Sequence, residues 1–279
     1  MDNLFNSPYQ VIENNISGAK TKVNLPLPKM IMLGIMAGAF IALGAATSST
    51  AAHSIDNVGL SRFVSGIIFP LGLMLITFIG GELFTGNCLT VMGVMNHEFS
   101  WGKVVKDLCI IWLSNLAGAL IIAFLIFFSG NLNYSSGLLG AYSIKIALGK
   151  CTISPVKAIS SGILCNILVC AAILMAAAAK DITGKILAIF FPIMAFVVGG
   201  FEHCVANMFY IPVGIMAAAN DSYVSKAFEV YGITDDQLSK LSVAGLLSNL
   251  IPVTAGNIIG GMIFVGLPCY LVHCKYKAR

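Results

Sequence analysis

The chain has 279 residues, of which 58% are apolar and only 10% charged, with a mean hydropathy of +0.90. Soluble domains are roughly half apolar and a quarter charged, so too few charges remain here to cover a water-facing surface, and a single polytopic membrane bundle over 1–279 is the simplest organisation. The formal charge of +4 comes without a basic, aromatic-interleaved patch, so no nucleic-acid partner is expected.

The opening residues lack the basic segment, apolar run and small-residue cleavage site of a secretory signal, and the chain is expected to stay whole in a bilayer. Ser7-Pro8 is a helix start. Tyr9, Ile12 and Ile16 then share one face, predicting a short amphipathic helix in a cytoplasmic segment 1–28 that either lies on the membrane or covers a pore mouth. Apolar runs of bridging length follow at Met30–Ala51, Phe63–Gly81, Val104–Phe128, Val156–Ala178, Ile186–Gly200 and Val253–His273. After Gly81 and Gly200 a polar break leads into a second apolar piece, Cys88–Met95 and Val205–Ala219, each too short to cross alone. The second and fifth spans therefore read as interrupted helices.

Six crossings put both termini on one side. That side carries ten cations (Lys20, Lys22, Lys29, Lys103, Lys106, Lys180, Lys185, Lys275, Lys277, Arg279) against six opposite (Arg62, Lys145, Lys150, Lys157, Lys226, Lys240), which predicts cytoplasmic termini.

The broken spans hold the same place in two halves, 30–129 and 153–273. Gly80-Gly81-Glu82-Leu83-Phe84-Thr85-Gly86-Asn87 and Gly199-Gly200-Phe201-Glu202-His203-Cys204-Val205-Ala206-Asn207 each have a glycine pair, an acid close behind and a terminal Asn. Asn115-Leu116-Ala117-Gly118-Ala119 likewise echoes Asn257-Ile258-Ile259-Gly260-Gly261. Three spans per half means opposite insertion, an all-α fold of two inverted repeats with a central solute path between the breaks. Non-helical backbone at membrane depth must face protein or a watery cavity, so the breaks turn inward. The half-helices that begin there offer free N–H groups and a partial positive end, suited to an anion. Gly34 and Gly38, with Gly256, Gly260 and Gly261, suit close helix contact.

Ionisable groups inside spans need a reason. Glu82 and Glu202 are read as supports that accept the exposed N–H groups of the breaks. His203, with an unperturbed pKa near 6.5, is read as a pore-facing protonatable group. Thr85 offers a hydroxyl to a passing anion or caps the next half-helix, and the two readings are even. Asn166 and Asn257 are interhelical glue or pore lining. Lys150 is a solvated loop lysine or a collector of anions. The eight cysteines form no metal-ligand pattern and read as small buried hydrophobes. No metal or cofactor is expected, and no soluble-enzyme signature appears. An intramembrane acid–base pair of Glu202 and His203 lacks an accompanying nucleophile or metal set.

The two breaks, together with Gly162-Ile163-Leu164-Cys165-Asn166-Ile167-Leu168-Val169-Cys170 and Asn249-Leu250-Ile251-Pro252-Val253-Thr254-Ala255-Gly256-Asn257, resemble the formate/nitrite transporter family, in the family's order and over essentially the whole chain. The resemblance implies an aquaporin-like protomer, a pentamer, and a pore in each protomer for small monovalent weak-acid anions such as formate, nitrite or hydrosulfide. It implies a central His at His203, with Thr85, Asn166 and Asn257 as polar partners and Lys150 as the external lysine. Apolar constrictions would fall on Phe69, Leu73, Leu83, Phe84, Val169 and Phe196. Ala171 stands where the family usually has Leu or Val. Glu82 is as in many nitrite-type members, whereas Asn249 to Thr254 leans to the formate type, so the substrate stays open. The alternative is an aquaporin-type channel for neutral solutes, against which the lack of Asn-Pro-Ala counts. The expected location is the inner or plasma membrane.

Overall fold

Six helices long and apolar enough to cross a bilayer form the bundle: Leu27–Ala52, Val58–Ile79, Trp101–Phe128, Pro155–Ala178, Ile182–Gly199 and Val243–Lys275. They are numbered here as the first to sixth spans. The computed structural model describes residues 5–276; Lys277 and Arg279, counted above for topology, lie outside them. Two shorter apolar helices, Phe84–Met95 and Cys204–Ala217, follow the second and fifth spans, as the interrupted pattern predicts. Each is reached through a glycine with positive φ, Gly80 at +104° and Gly200 at +69°, conformations open to a residue without a Cβ.

The second span is itself divided, into Val58–Ile68 and Leu71–Ile79, where the hydropathy reading takes one continuous helix. Pro70 has no N–H to continue the ladder and clashes with the preceding turn. The division bends the chain at Phe69.

Two helix crossings of matched design carry the halves. Between the first and third spans, a methyl on Gly38 would overlap the Asn115 carbonyl, and one on Gly118 would overlap the Ile35 carbonyl. Between the fourth and sixth, Gly256 meets the Ile159 carbonyl and Gly260 the Ile163 carbonyl in the same way. Backbone touches backbone at both crossings, as small residues allow in lipid. Gly118→Val is therefore expected to force the first and third spans apart at a cost of about 3 kcal/mol or more. Size-exclusion chromatography checks this, and an assembled, monodisperse Gly118→Val protein would contradict the stated packing.

The N-terminal helix Pro8–Lys22 begins in a capping box, with Ser7 accepting from Gln10 N–H and the Gln10 side chain accepting from Ser7 N–H. It buries Val11, Ile12, Ile16 and Ala19 against Leu89, Val91 and Met92 of the first half-helix and Val265 and Tyr270 of the sixth span. The helix therefore packs on the bundle across the first half-helix and the sixth span. Val11 completes the buried face in place of Tyr9, which bonds to Glu13 instead. Lys20 ties the helix to Glu98 at 2.9 Å, and this cation holds the partly exposed Glu98 carboxyl below its ordinary pKa.

Candidate functional site at the two helix breaks

Each break is held by an asparagine from the last span of its own half. Asn115 accepts the Phe84 N–H at 2.9 Å and donates to the carbonyls of Gly34 (2.8 Å) and Glu82 (2.9 Å). Asn257 accepts the Cys204 N–H at 2.9 Å and donates to Gly162 (2.8 Å) and Glu202 (3.0 Å). Both are fully buried. The first N–H of each half-helix is thus satisfied by protein, which narrows what the half-helix ends can offer a ligand.

The carboxylates do something other than accept those N–H groups. Glu82 takes Lys22 Nζ at 2.9 Å, and the same ammonium reaches Asn87 Oδ1 at 2.9 Å. Glu202 takes Lys150 Nζ at 2.9 Å, Asn207 Nδ2 at 2.6 Å and Asn249 Nδ2 at 3.4 Å. These two clusters belong to opposite halves, the first beside the N-terminal helix and the second beside the helix Leu138–Cys151. Lys150 is 15% exposed, lies 5.4 Å above the Tyr210 ring and ends a helix, Leu138–Cys151. It is not a solvated loop lysine.

Between these clusters the two breaks meet side chain to side chain at Thr85 Oγ1 and His203 Nε2, 3.1 Å apart. His203 caps the second half-helix, with Nδ1 accepting the Ala206 N–H at 3.1 Å. An accepting Nδ1 carries no proton, so the neutral ring bears it on Nε2 and donates toward Thr85. Asn166 donates to the Thr85 carbonyl (3.2 Å) and the Asn257 carbonyl (2.6 Å), joining the two breaks through the fourth span.

Apolar groups flank this centre. Phe69 and Phe196 meet edge to face at 5.4 Å, and Phe196 stacks on His203 at 5.9 Å. Toward the terminal side a cavity of about 270 Å³ is lined by Leu73, Leu83, Gly86, Asn87 and Lys22, with Asn14, Asn15 and Gly18 of the N-terminal helix closing it. Leu73 and Leu83 are buried residues of the cavity wall. Phe84 and Val169 are buried in the same core and do not line that cavity.

Of the residues singled out from sequence, Thr85, His203, Asn166 and Asn257 come together at the centre, Glu82 and Glu202 in the two clusters, and Lys150 beside Glu202. Lys22, Asn87, Asp107, Asn115, Asn207 and Asn249 complete the networks. Asn87, Asn207 and Asn115 stood in the echoing segments, which was the signal for them. Lys22, before the first span, has no local sign of a partner 60 residues on. Among the described residues no group of His, Cys, Asp and Glu could hold a metal ion.

The family model for the formate/nitrite transporter matches residues 9–271. The chain belongs to this family. It is 36% identical to a probable formate transporter from Methanothermobacter thermautotrophicus, over 99% of this chain and 100% of the other. It is 34% identical to the formate channel FocA of Escherichia coli K12, over 88% of this chain and 87% of that one. Among solved structures, a pentameric formate channel with formate bound matches with a TM-score of 0.76 and 32% identity, covering 88% of this chain and 97% of that one. An FNT family ion channel matches with a TM-score of 0.81 and 29% identity, covering 94% and 98%. As a member of this family, the chain is a membrane transport protein.

Proposed function

We propose that this protein passes formate, with nitrite or hydrosulfide as related cargo, through a pore in each protomer of a pentamer in the plasma membrane. Cytoplasmic termini follow from the lysine distribution. The observation that carries the reading is the Thr85–His203 pair, set between the Phe69–Phe196 contact and the Leu73–Leu83 wall. A bare anion in an apolar slit costs far more than the flanking donors return. At the centre it would find the Nε2–H of His203 and the Thr85 hydroxyl.

The ring can take a second proton on Nδ1 only by giving up the Ala206 N–H, and it then faces the positive end of the half-helix. An anion at Nε2 offsets that charge, so proton and anion load together and leave together as the neutral acid. Formate, nitrite and hydrosulfide are all conjugate bases of weak acids and suit this exchange. Lys150, held by Glu202, sets the potential of the far mouth, while Asn166 and Asn257 hold Thr85 and His203 in place. The resemblance to channels and transporters, with no catalytic set beside His203, favours transport over turnover.

Flux into proteoliposomes at several pH values, with formate, nitrite and hydrosulfide offered separately and water as control, tests the reading. Saturable, acid-stimulated formate entry is expected. Water or glycerol flux without anion entry would place the protein among neutral-solute channels.

A further inference from the structure

The clusters of the two halves match in residue type except at one position; in bonding, Lys22 also reaches Asn87 Oδ1, whereas Asn207 Oδ1 has no partner among the described residues. Asp107 and Asn249 stand about two helical turns before the clamping Asn115 and Asn257 on the third and sixth spans. Each accepts a hydrogen bond from the asparagine of its own half-helix: Asn87 Nδ2 to Asp107 Oδ2 at 2.9 Å, Asn207 Nδ2 to Asn249 Oδ1 at 2.7 Å. Asn249 then uses its own amide as a donor, to the Lys150 carbonyl at 3.0 Å and to Glu202 Oε2 at 3.4 Å. Where Asn249 has that amide nitrogen, Asp107 has Oδ1. This atom meets no donor among the described residues, although Asp107 is only 1% exposed. An acceptor thus replaces a donor in matched surroundings, and a proton on Oδ1 restores the donor.

We propose that Asp107 is a carboxylic acid, protonated on Oδ1, while the pore conducts, and that loss of this proton to water on the terminal side closes that mouth to anions by charge. The inference rests on the transport reading above. With the proton in place, Lys22 and Glu82 cancel, as Lys150 and Glu202 do at the far mouth. Without it, the terminal mouth carries one uncompensated negative charge in apolar surroundings, and entry of a further anion from that side falls about tenfold. The groups that act on Asp107 are Glu82 of the break and Lys22 of the N-terminal helix, with Asn87 bonded to it; Cys88 of the half-helix also feels its charge. Lys103, on its own helix, is engaged with Asn24, Lys106 shares that helix, and Lys29 of the first span is exposed. The Cys204–Ala217 half-helix packed alongside carries no charged residue.

Two measurements on the assembled protein test this. Infrared spectra recorded through a pH titration are expected to show a protonated-carboxyl C=O band that fades as pH rises in the parent and is missing in Asp107→Asn. In uniformly oriented proteoliposomes of His203→Asn, which removes proton loading at the ring, formate leaving from the terminal side is expected to slow about tenfold as that side is made alkaline, a dependence the added Asp107→Asn removes. Asn249→Asp in the intact chain is expected to add the same dependence at the far mouth, and serves if Asp107→Asn does not assemble. Persistence of the titrating band in Asp107→Asn, or of the terminal-side pH dependence when Asp107→Asn is added to His203→Asn, overturns the proposal. If the parent passes no anion at all, the transport reading fails, and the infrared band still decides whether Asp107 holds the proton.

Discussion

Formate entry is expected to fall about a hundredfold in His203→Ala, and what remains is expected to lose its acid stimulation. The ring is buried to 3% exposure and does two jobs. Nδ1 receives the Ala206 N–H at 3.1 Å, and Nε2 meets Thr85 Oγ1 at 3.1 Å. Removing one well-placed donor to a charge in a water-poor site costs on the order of 3 kcal/mol, which is about that factor in rate. His203→Asn separates the jobs. A short amide can still cap the half-helix and still donate one N–H, yet it does not exchange a proton near neutral pH. It is expected to assemble, to pass anions, and to show a flat pH profile. Proteoliposome flux between acid and neutral external pH reads both variants. An unchanged acid stimulation in His203→Asn would remove the ring from the proton path.

Asn257→Ala is expected to lower the thermal midpoint by more than 10 °C or to prevent recovery of the assembled protein. The truncation strands two buried backbone groups of the break, the Cys204 N–H and the Glu202 carbonyl, and removes the cross-helix bond to the Gly162 carbonyl, which keeps its own helical partner. Each unpaired group costs about 1–3 kcal/mol, a sum comparable with a whole domain's stability of about 5–15 kcal/mol. Asn115→Ala should lose as much, since it strands the Phe84 N–H and the Glu82 carbonyl and removes the cross-helix bond to Gly34 in the same way. Asn166→Ala, which releases two carbonyls, should lose less. A thermal shift assay in detergent orders the three; Asn257→Ala within two or three degrees of the parent would show that water replaces the clamp.

The bundle was legible because lipid imposes a length on apolar runs and because glycine pairs followed by polar residues cannot continue a helix unnoticed. The inverted halves were legible from the matched Gly–Glu–Asn order around 80–87 and 199–207. What local sequence did not carry was the identity of partners. Glu82 and Glu202 stand beside the exposed N–H groups in the chain, and proximity suggested that they would accept them. Asn115 and Asn257 arrive from other helices and take that place, which leaves the carboxylates for Lys22 and Lys150. Pro70 announced the division of the second span, but the hydropathy run around it masked the signal. Asp107 was passed over because an acid one turn inside a span, near Lys103 and Lys106, looks like an end-of-helix charge. Only its contact with Asn87 and the comparison with Asn249 give it meaning.

The clamps have a consequence for how such a protein can be assembled. Every bond that Asn115 makes stays within the first three spans, and every bond that Asn257 makes stays within the last three. Lys22 and Lys150 each precede the spans whose acid they pair with. A chain severed in the loop after Phe128 would therefore leave two pieces that each own a complete set of partners for their break. What neither piece owns is the centre, where Thr85 and Asn166 reach across to meet the other. Counted from Glu82 and Glu202, Thr85 corresponds to Val205 and His203 to Leu83, so the centre joins two positions at which the halves differ.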